Sequence, residues 1–212
     1  MRKQLDDTTP DFDWRAYCDL QLTPIMSASL AALQEHGYHG TTVRDIARRV
    51  GLTMPSLYYH YGNKEGILSA LLDIAMDDVL AHIEGGIAEA GDDTRAMMAN
   101  FVTAVVMHNT RRIELAKLHP EFRFLGPEAR AAYVAKRTKA DNILVSVLDA
   151  GADEGIFQVD DFHFMARAIL GMLNGIPDWY RAGGGLSPQE IAAKYVVCAL
   201  RMAGDTSRSS RG

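Results

Sequence analysis

From Thr41 to Leu68 the chain reads TTVRDIARRVGL and then TMPSLYYHYGNKEGIL. Thr42, Arg44, Thr53, Ser56, Tyr58, Tyr59, His60 and Lys64 bring hydroxyls, phenols, an imidazole and cations, with Asp45 the one acid before Glu65. Groups of these types suit a polyanion. Threonines that open helices offer a hydroxyl and unfilled backbone N–H groups to a phosphate, where the helix dipole favours negative charge. Met54 and Pro55 add apolar surface suited to thymine methyl groups. The whole chain carries a net charge of -5, which argues against nucleic acid on average. Between His36 and Lys64, however, four cations face Asp45 alone, giving +3. The remainder is acidic: -3 over residues 1–35 and -5 over residues 65–212. A basic island of this size also describes an ordinary solvated helix face, and charge alone leaves both readings open.

The elements that must position these groups are helices. Thr23 caps a first helix with Pro24 at its start, and Ile25, Ala28, Ser29, Ala32 and Leu33 recur at helical spacing until Gly37. Thr42 opens a short second helix carrying Val43, Ile46, Ala47 and Val50, which Gly51 stops. Thr53 opens a third with Leu57 inward, and Asn63 caps a long fourth carrying Ile67, Leu68, Leu71, Leu72, Ala75 and Val79. Breaks at glycine and proline then delimit helices at about 94–109, 111–118, 127–150, 161–180 and 188–203. Nothing alternates with period two, so the fold class is all-α. Residues 1–22 form an arm mixing acids with Phe12, Trp14 and Tyr17, either an extra helical turn on the body or partly ordered chain. Residues 23–66 form a three-helix unit, residues 67–203 a helical body, and residues 204–212 a tail expected to be disordered.

Two short helices joined at Gly51 make a helix-turn-helix, in which the second helix enters the major groove and the first braces it across the backbone. Val43, Ile46, Ala47, Val50, Leu52 and Leu57 are its expected inner faces. The region from about Ile25 to Leu72 resembles the DNA-binding domain of the TetR family of bacterial transcriptional regulators. The resemblance rests on Gly37-Tyr38, Thr41-Thr42, Asp45-Ile46-Ala47, Val50-Gly51, Leu57-Tyr58-Tyr59-His60-Tyr61 and Lys64-Glu65 in that order. It implies phosphate contacts from Thr42, Tyr58, His60 and Lys64, and base or groove-floor contacts from Thr53, Met54, Pro55, Ser56 and Tyr59. Tyr58 and Tyr59 also suit a plain aromatic core, and one of the two is expected to be partly buried. Arg44 and Arg48 fit backbone contacts and solvated surface equally well. Pro24 departs from the family, whose members often carry a basic residue there.

For residues 67–203 the resemblance implies a ligand-binding and dimerisation domain, a near-palindromic double-stranded operator as partner, and a homodimer formed through the last two helices. Ala166, Gly171, Gly175, Ala192 and Ala199 permit close helix approach there, although the same stripe also suits an internal core. Met97, Met98, Phe101, Val105, Phe122, Phe124, Leu125, Tyr133, Ile143, Met165, Met172 and Trp179 are candidates for an apolar effector cavity, methionine being adaptable to irregular space. At helical spacing such residues are more often core. The segment LGMLNGIPDWYRAGGGLSPQEIA (170–192) is similar to a TetR subgroup associated with fatty-acid and sterol-ring catabolism, several of whose members respond to acyl-CoA thioesters. On that likeness Trp179, Tyr180 and Arg181 contact a CoA moiety by stacking and phosphate pairing. The plainer alternative makes Trp179 a staple between helices, with Ser187-Pro188 and Glu190 merely starting the last one.

Other chemistries find no support in the pattern. HExxH, GxSxG, a glycine-rich phosphate loop and paired CxxC are all missing from the sequence, so neither an enzyme, a metal site nor a cofactor is expected. His108 and His119 flank a short helix, and either is placed to line a pocket. No apolar run approaches a membrane span, and the polar N-terminus and unpaired cysteines point to the cytoplasm. The competing function is an architectural or protein-interaction dimer on the same scaffold with a filled core and no effector. A cavity of several hundred Å3 separates the two.

Overall fold

Thr23 accepts a hydrogen bond from the Met26 amide and Pro24 follows at the first helical position, so α1 runs Pro24–Gly40. The helix kinks at Gly37, where φ of +66° suits a residue without Cβ; it continues one turn beyond the stop expected there. In the computed structural model, which describes residues 12–205, about 76% of residues are helical, with no strand among the described residues. Thr42 caps α2 (Val43–Val50) and Asn63 caps α4 (Lys64–Ala90) as expected. Thr53 precedes α3 (Met54–Tyr61) without a side-chain cap bond. α4 passes unbroken through the boundary placed at residues 66 and 67, so the two units share one continuous helix.

The body is built round α5 (Thr94–Arg111), which is buried on nearly every side from Phe101 to Thr110 except at Thr103. α4 packs along one flank of α5 and α10 (Pro188–Met202) along another, and α7 (Pro127–Asp153) closes against α4, α5 and α8 (Phe162–Asn174). The segment expected as a helix at 111–118 is only α6 (Ile113–Ala116), after which a 3-10 turn, His119–Phe124, carries the chain to α7. The helix expected over 161–180 is two. It ends at Asn174, and α9 (Ile176–Trp179) restarts with Pro177, whose missing N–H and fixed φ prevent continuation. Ser187 and Glu190 form the reciprocal capping box that starts α10.

The described part of the arm contains no helix; it is a strap on the body. Trp14 is buried against α4, where Gly85 and Gly86 leave room that a Cβ would fill, and its indole N–H donates to Glu89. Tyr17 stacks on His82 at 3.8 Å and donates to the Ala104 carbonyl of α5. Residues 1–11 of the arm and 206–212 of the tail lie outside the described residues. Within the tail, Asp205 is held by Arg95 at 2.8 Å. Cys18 and Cys198 are both unbridged, and no described helix is long and apolar enough to cross a membrane.

Candidate nucleic-acid interface and effector cavity

Gly51, with φ of +67°, makes the turn that lets α2 and α3 meet, and its amide donates back to the carbonyls of α2. Ile46, Ala47 and Leu57 form the buried contact. Val43 and Val50 are only half-buried, and Leu52 is exposed, contrary to the inner-face expectation, because the turn lifts it off the helix pair. Tyr59 is 87% exposed and Tyr58 45% exposed. With Thr53, Pro55 and His60 also exposed and Met54 and Ser56 half-buried, α3 presents one aromatic and apolar surface without a carboxylate.

The basic residues divide by what holds them. Arg49 is drawn back to Glu35 of α1 at 3.0 Å, and Arg48 pairs with Asp45 at 3.2 Å while staying open to solvent. Arg44 is exposed. The Thr42 hydroxyl accepts from the Asp45 amide and donates to the Asp45 carboxylate at 2.6 Å, so the cap already uses it. Lys64 donates to the carbonyls of Tyr38 at 2.7 Å and Thr41 at 3.0 Å, and lies 4.3 Å from the Tyr38 ring centre. Its ammonium therefore fastens the α1–α2 corner, with one N–H left for a phosphate. Replacing Lys64 by methionine is expected to cost about 2 kcal/mol of stability, the scale of hydrogen bonds to a charged donor, as read from urea unfolding.

A cavity of about 280 Å3 opens between α4, α5, α6, the 3-10 turn, α7, α8 and α9. Met76, Val79, Ile83, Val105, Phe122 and Leu170 form its apolar walls, and His108, Asn109, His119 and Tyr133 its buried polar side. Lys117, Arg137, Asp141 and Asp178 stand at the solvent side. The volume is near the lower end for small-molecule sites, enough for an acyl group but not for a whole nucleotide-bearing thioester.

Of the residues expected to line it, the structure brings together Val105, Phe122 and Tyr133, together with both histidines. Met98 and Phe101 are fully buried in the core and outside the lining, since α5 turns those faces into close-packed neighbours. Met165 and Met172 pack half-buried on the core away from the cavity. Phe124 instead stacks on Tyr38 at 4.8 Å and meets His39 edge-on at 4.5 Å, joining the 3-10 turn to α1. Trp179, Tyr180 and Arg181 follow the lining residues Pro177 and Asp178 without lining the cavity themselves. Tyr180 turns into the core, Trp179 is half-exposed, and Arg181 bonds the Tyr180 carbonyl at 2.9 Å.

The polar side had no motif to announce it. Asp78 lies 3.3 Å from His108 Nδ1, 3.7 Å from His82 Nε2 and 3.5 Å from Arg112 Nε. Burial pushes its carboxyl up, but the histidine bonds and the Arg112 charge outweigh burial and hold it well below the usual carboxylate range. His108 is lowered by complete burial against the opposing pull of Asp78. His119 is lowered to about 3, by burial first and then by His108 and Arg137. Both rings are neutral at pH 7. Burial raises the Tyr133 phenol to about 12.

Comparison with known proteins accounts for both regions. Residues 25–71 match the model of bacterial regulatory proteins of the tetR family, and residues 91–203 the tetracyclin repressor-like C-terminal domain. The chain belongs to the TetR family, and its function is that of a TetR-type transcriptional regulator. It is 27% identical to the HTH-type transcriptional repressor KstR2 of Mycobacterium tuberculosis over 83% of this chain and 89% of that protein. Its fold matches PfmR of Thermus thermophilus with a TM-score of 0.77 and 29% identity, covering 84% of this chain and 97% of that one. It also matches AibR, solved in complex with isovaleryl coenzyme A and operator DNA, with a TM-score of 0.69 and 26% identity over 82% and 95% of the two chains.

Proposed function

We propose that the protein is a cytoplasmic homodimeric repressor that docks its two α3 surfaces on a near-palindromic operator and leaves it when the cavity takes up an acyl-CoA-like effector. The observation that carries the effector half is the wall the cavity shares with the DNA-reading unit. α4 begins at Lys64 beside α3 and lines the cavity at Met76, Val79 and Ile83. The 3-10 turn lines it at His119 and Phe122 and touches α1 through Phe124. A ligand seated there pushes on two elements that end at the reading head. Two heads must sit about 34–36 Å apart to read successive major grooves, so a small relative shift prevents simultaneous docking. Such a cavity speaks against the alternative of an architectural dimer with a filled interior. The CoA complex of AibR supports a thioester as the ligand class.

For the dimer, α8 and α10 turn Ala166, Ile169, Leu173, Ile191, Ala192 and Ala199 inward and leave Phe164 67% and Val197 40% exposed. That outer face supports pairing with a second copy.

The test is an operator selected from random duplexes by the purified protein, followed by titration with CoA thioesters of increasing acyl length. Release by at least one of them is expected. Retention of the operator against all of them overturns the effector assignment. On the same operator, Tyr59→Ala is expected to weaken binding tenfold or more, since exposed aromatic and apolar groups on α3 carry base contacts worth about 1–3 kcal/mol each. Its melting temperature should change little, because the ring is exposed and its edge-on contact is with the adjacent His60. Wild-type affinity in this variant removes Tyr59 from the interface.

A further inference from the structure

The hydrogen bonds on the polar side of the cavity have a direction. Asp78 is a carboxylate and can only accept, so His108 donates through Nδ1 and leaves its Nε2 as a bare acceptor. His119 Nε2 lies 3.4 Å from that nitrogen and must supply the proton, which leaves His119 Nδ1 bare. Tyr133 fills it, donating its phenolic hydrogen at 2.7 Å. Every donor of the chain Tyr133, His119, His108 is thereby spent toward Asp78. Asn109 donates one amide hydrogen to the Leu173 carbonyl at 2.9 Å and keeps its second N–H and Oδ1, so it offers both a donor and an acceptor. Both Tyr133 and Asn109 line the cavity.

Resting on the effector reading above, we infer that the cavity selects an acyl group bearing a hydroxyl and discriminates against the corresponding ketone. At Tyr133 the inner wall offers only a lone pair, on Oη, because the phenolic hydrogen is committed to His119. A hydroxyl brings the missing hydrogen. A carbonyl facing Tyr133 sets acceptor against acceptor, and a plain methylene leaves the Tyr133 lone pair unsatisfied. Sites built to hydrogen-bond a polar substituent reject analogues lacking it far more strongly than apolar pockets reject a change of size. Reversing the chain to make Tyr133 a donor to the ligand would strip His119 Nδ1 of its proton source and, with Asp78 fixed as acceptor, nothing else can supply one. Lys117 and Arg137 at the solvent side leave the anionic remainder of a thioester outside the cavity.

Three thioesters of one skeleton test this by calorimetric titration of the intact protein: octanoyl-CoA, 7-hydroxyoctanoyl-CoA and 7-oxooctanoyl-CoA. The hydroxy compound should bind at least about tenfold more tightly than the oxo compound, a difference of ~1.4 kcal/mol. In Tyr133→Phe the gap should shrink to within about threefold. Equal or tighter binding of the oxo compound by the wild-type protein overturns the inference and leaves the cavity reading standing. So does a gap that survives in a folded Tyr133→Phe. Absence of binding by all three overturns the cavity reading itself. The wild-type comparison needs no variant, so it decides the matter even if Tyr133→Phe is unstable.

Discussion

Replacing Asp78 by alanine is expected to lower the unfolding free energy by about 3–5 kcal/mol, the usual cost of deleting one partner from a buried charge cluster. The carboxylate is 8% exposed and faces Arg112, itself 11% exposed at the side chain, together with His82 and His108. Its loss strands the Arg112 cation, whose remaining bond reaches the Cys18 carbonyl of the strap. It also leaves the His108 Nδ1–H without an acceptor. Asp78→Asn keeps the volume and one acceptor oxygen, so it should cost less. Urea unfolding at pH 7 measures both; a loss under 1 kcal/mol for the alanine variant would falsify the view that this cluster is held by its charge.

Acid should undo the same cluster well before ordinary carboxylates titrate. His108 and His119 both have folded pKa values below the ordinary 6.5, that of His119 about 3. Below pH 6.5 the unfolded chain binds protons at these rings while the folded chain does not. Stability is therefore complete above about pH 6.5 and falls as pH drops toward the folded value, by up to ~1.4 kcal/mol per pH unit for each ring. Asp78, lowered as well, adds a loss of the same sign once the pH falls below the ordinary carboxylate range. His119, whose folded value lies far below this range, should remove about 1 kcal/mol between pH 6 and pH 5, and His108 adds a loss of the same sign. His119→Phe should make that slope shallower in unfolding curves collected across the range. A wild-type protein as stable at pH 5 as at pH 7 would contradict neutral burial of both rings.

Local signals in the sequence carried most of the fold. Thr23, Thr42, Asn63 and Ser187 cap helices as their positions require, because a cap is decided within four residues. The errors lie where distant contacts override local pattern or where a break was read too weakly. The helix breaks at Gly175-Ile176-Pro177 despite an apolar run on both sides, and the chain from His119 to Phe124 tightens into a 3-10 turn. The strap is the sharpest case. Trp14 among acids looks like exposed arm, and only Gly85 and Gly86, some seventy residues on, make it core.

The reading head was legible because its residues cluster in 28 positions, from Thr41 to Leu68, whereas the cavity draws on seven elements. Choosing residues by apolar periodicity selected Met98 and Phe101, which fill space; a cavity is where such filling stops. The useful sign was the pair of histidines flanking α6. Asp78, which orders them, sits on a different helix and reads in sequence as one more acid on a solvated face.

The unbroken α4 also sets a gear ratio. From Met76 at the cavity wall to Lys64 at the head are twelve residues, about 18 Å of helix at 1.5 Å each. A tilt of about 5° pivoting at the wall swings the head by roughly 1.6 Å over that length, and two heads swinging apart change their separation by about twice as much. A side-chain-sized displacement inside one small cavity is thus enlarged, by nothing more than helix length, to a mismatch that a groove spacing of about 34 Å registers. The stiffness of an uninterrupted helix is what transmits it, so a proline or a glycine pair inserted between Leu68 and Met76 would slacken the linkage while leaving the cavity and the reading surface each intact.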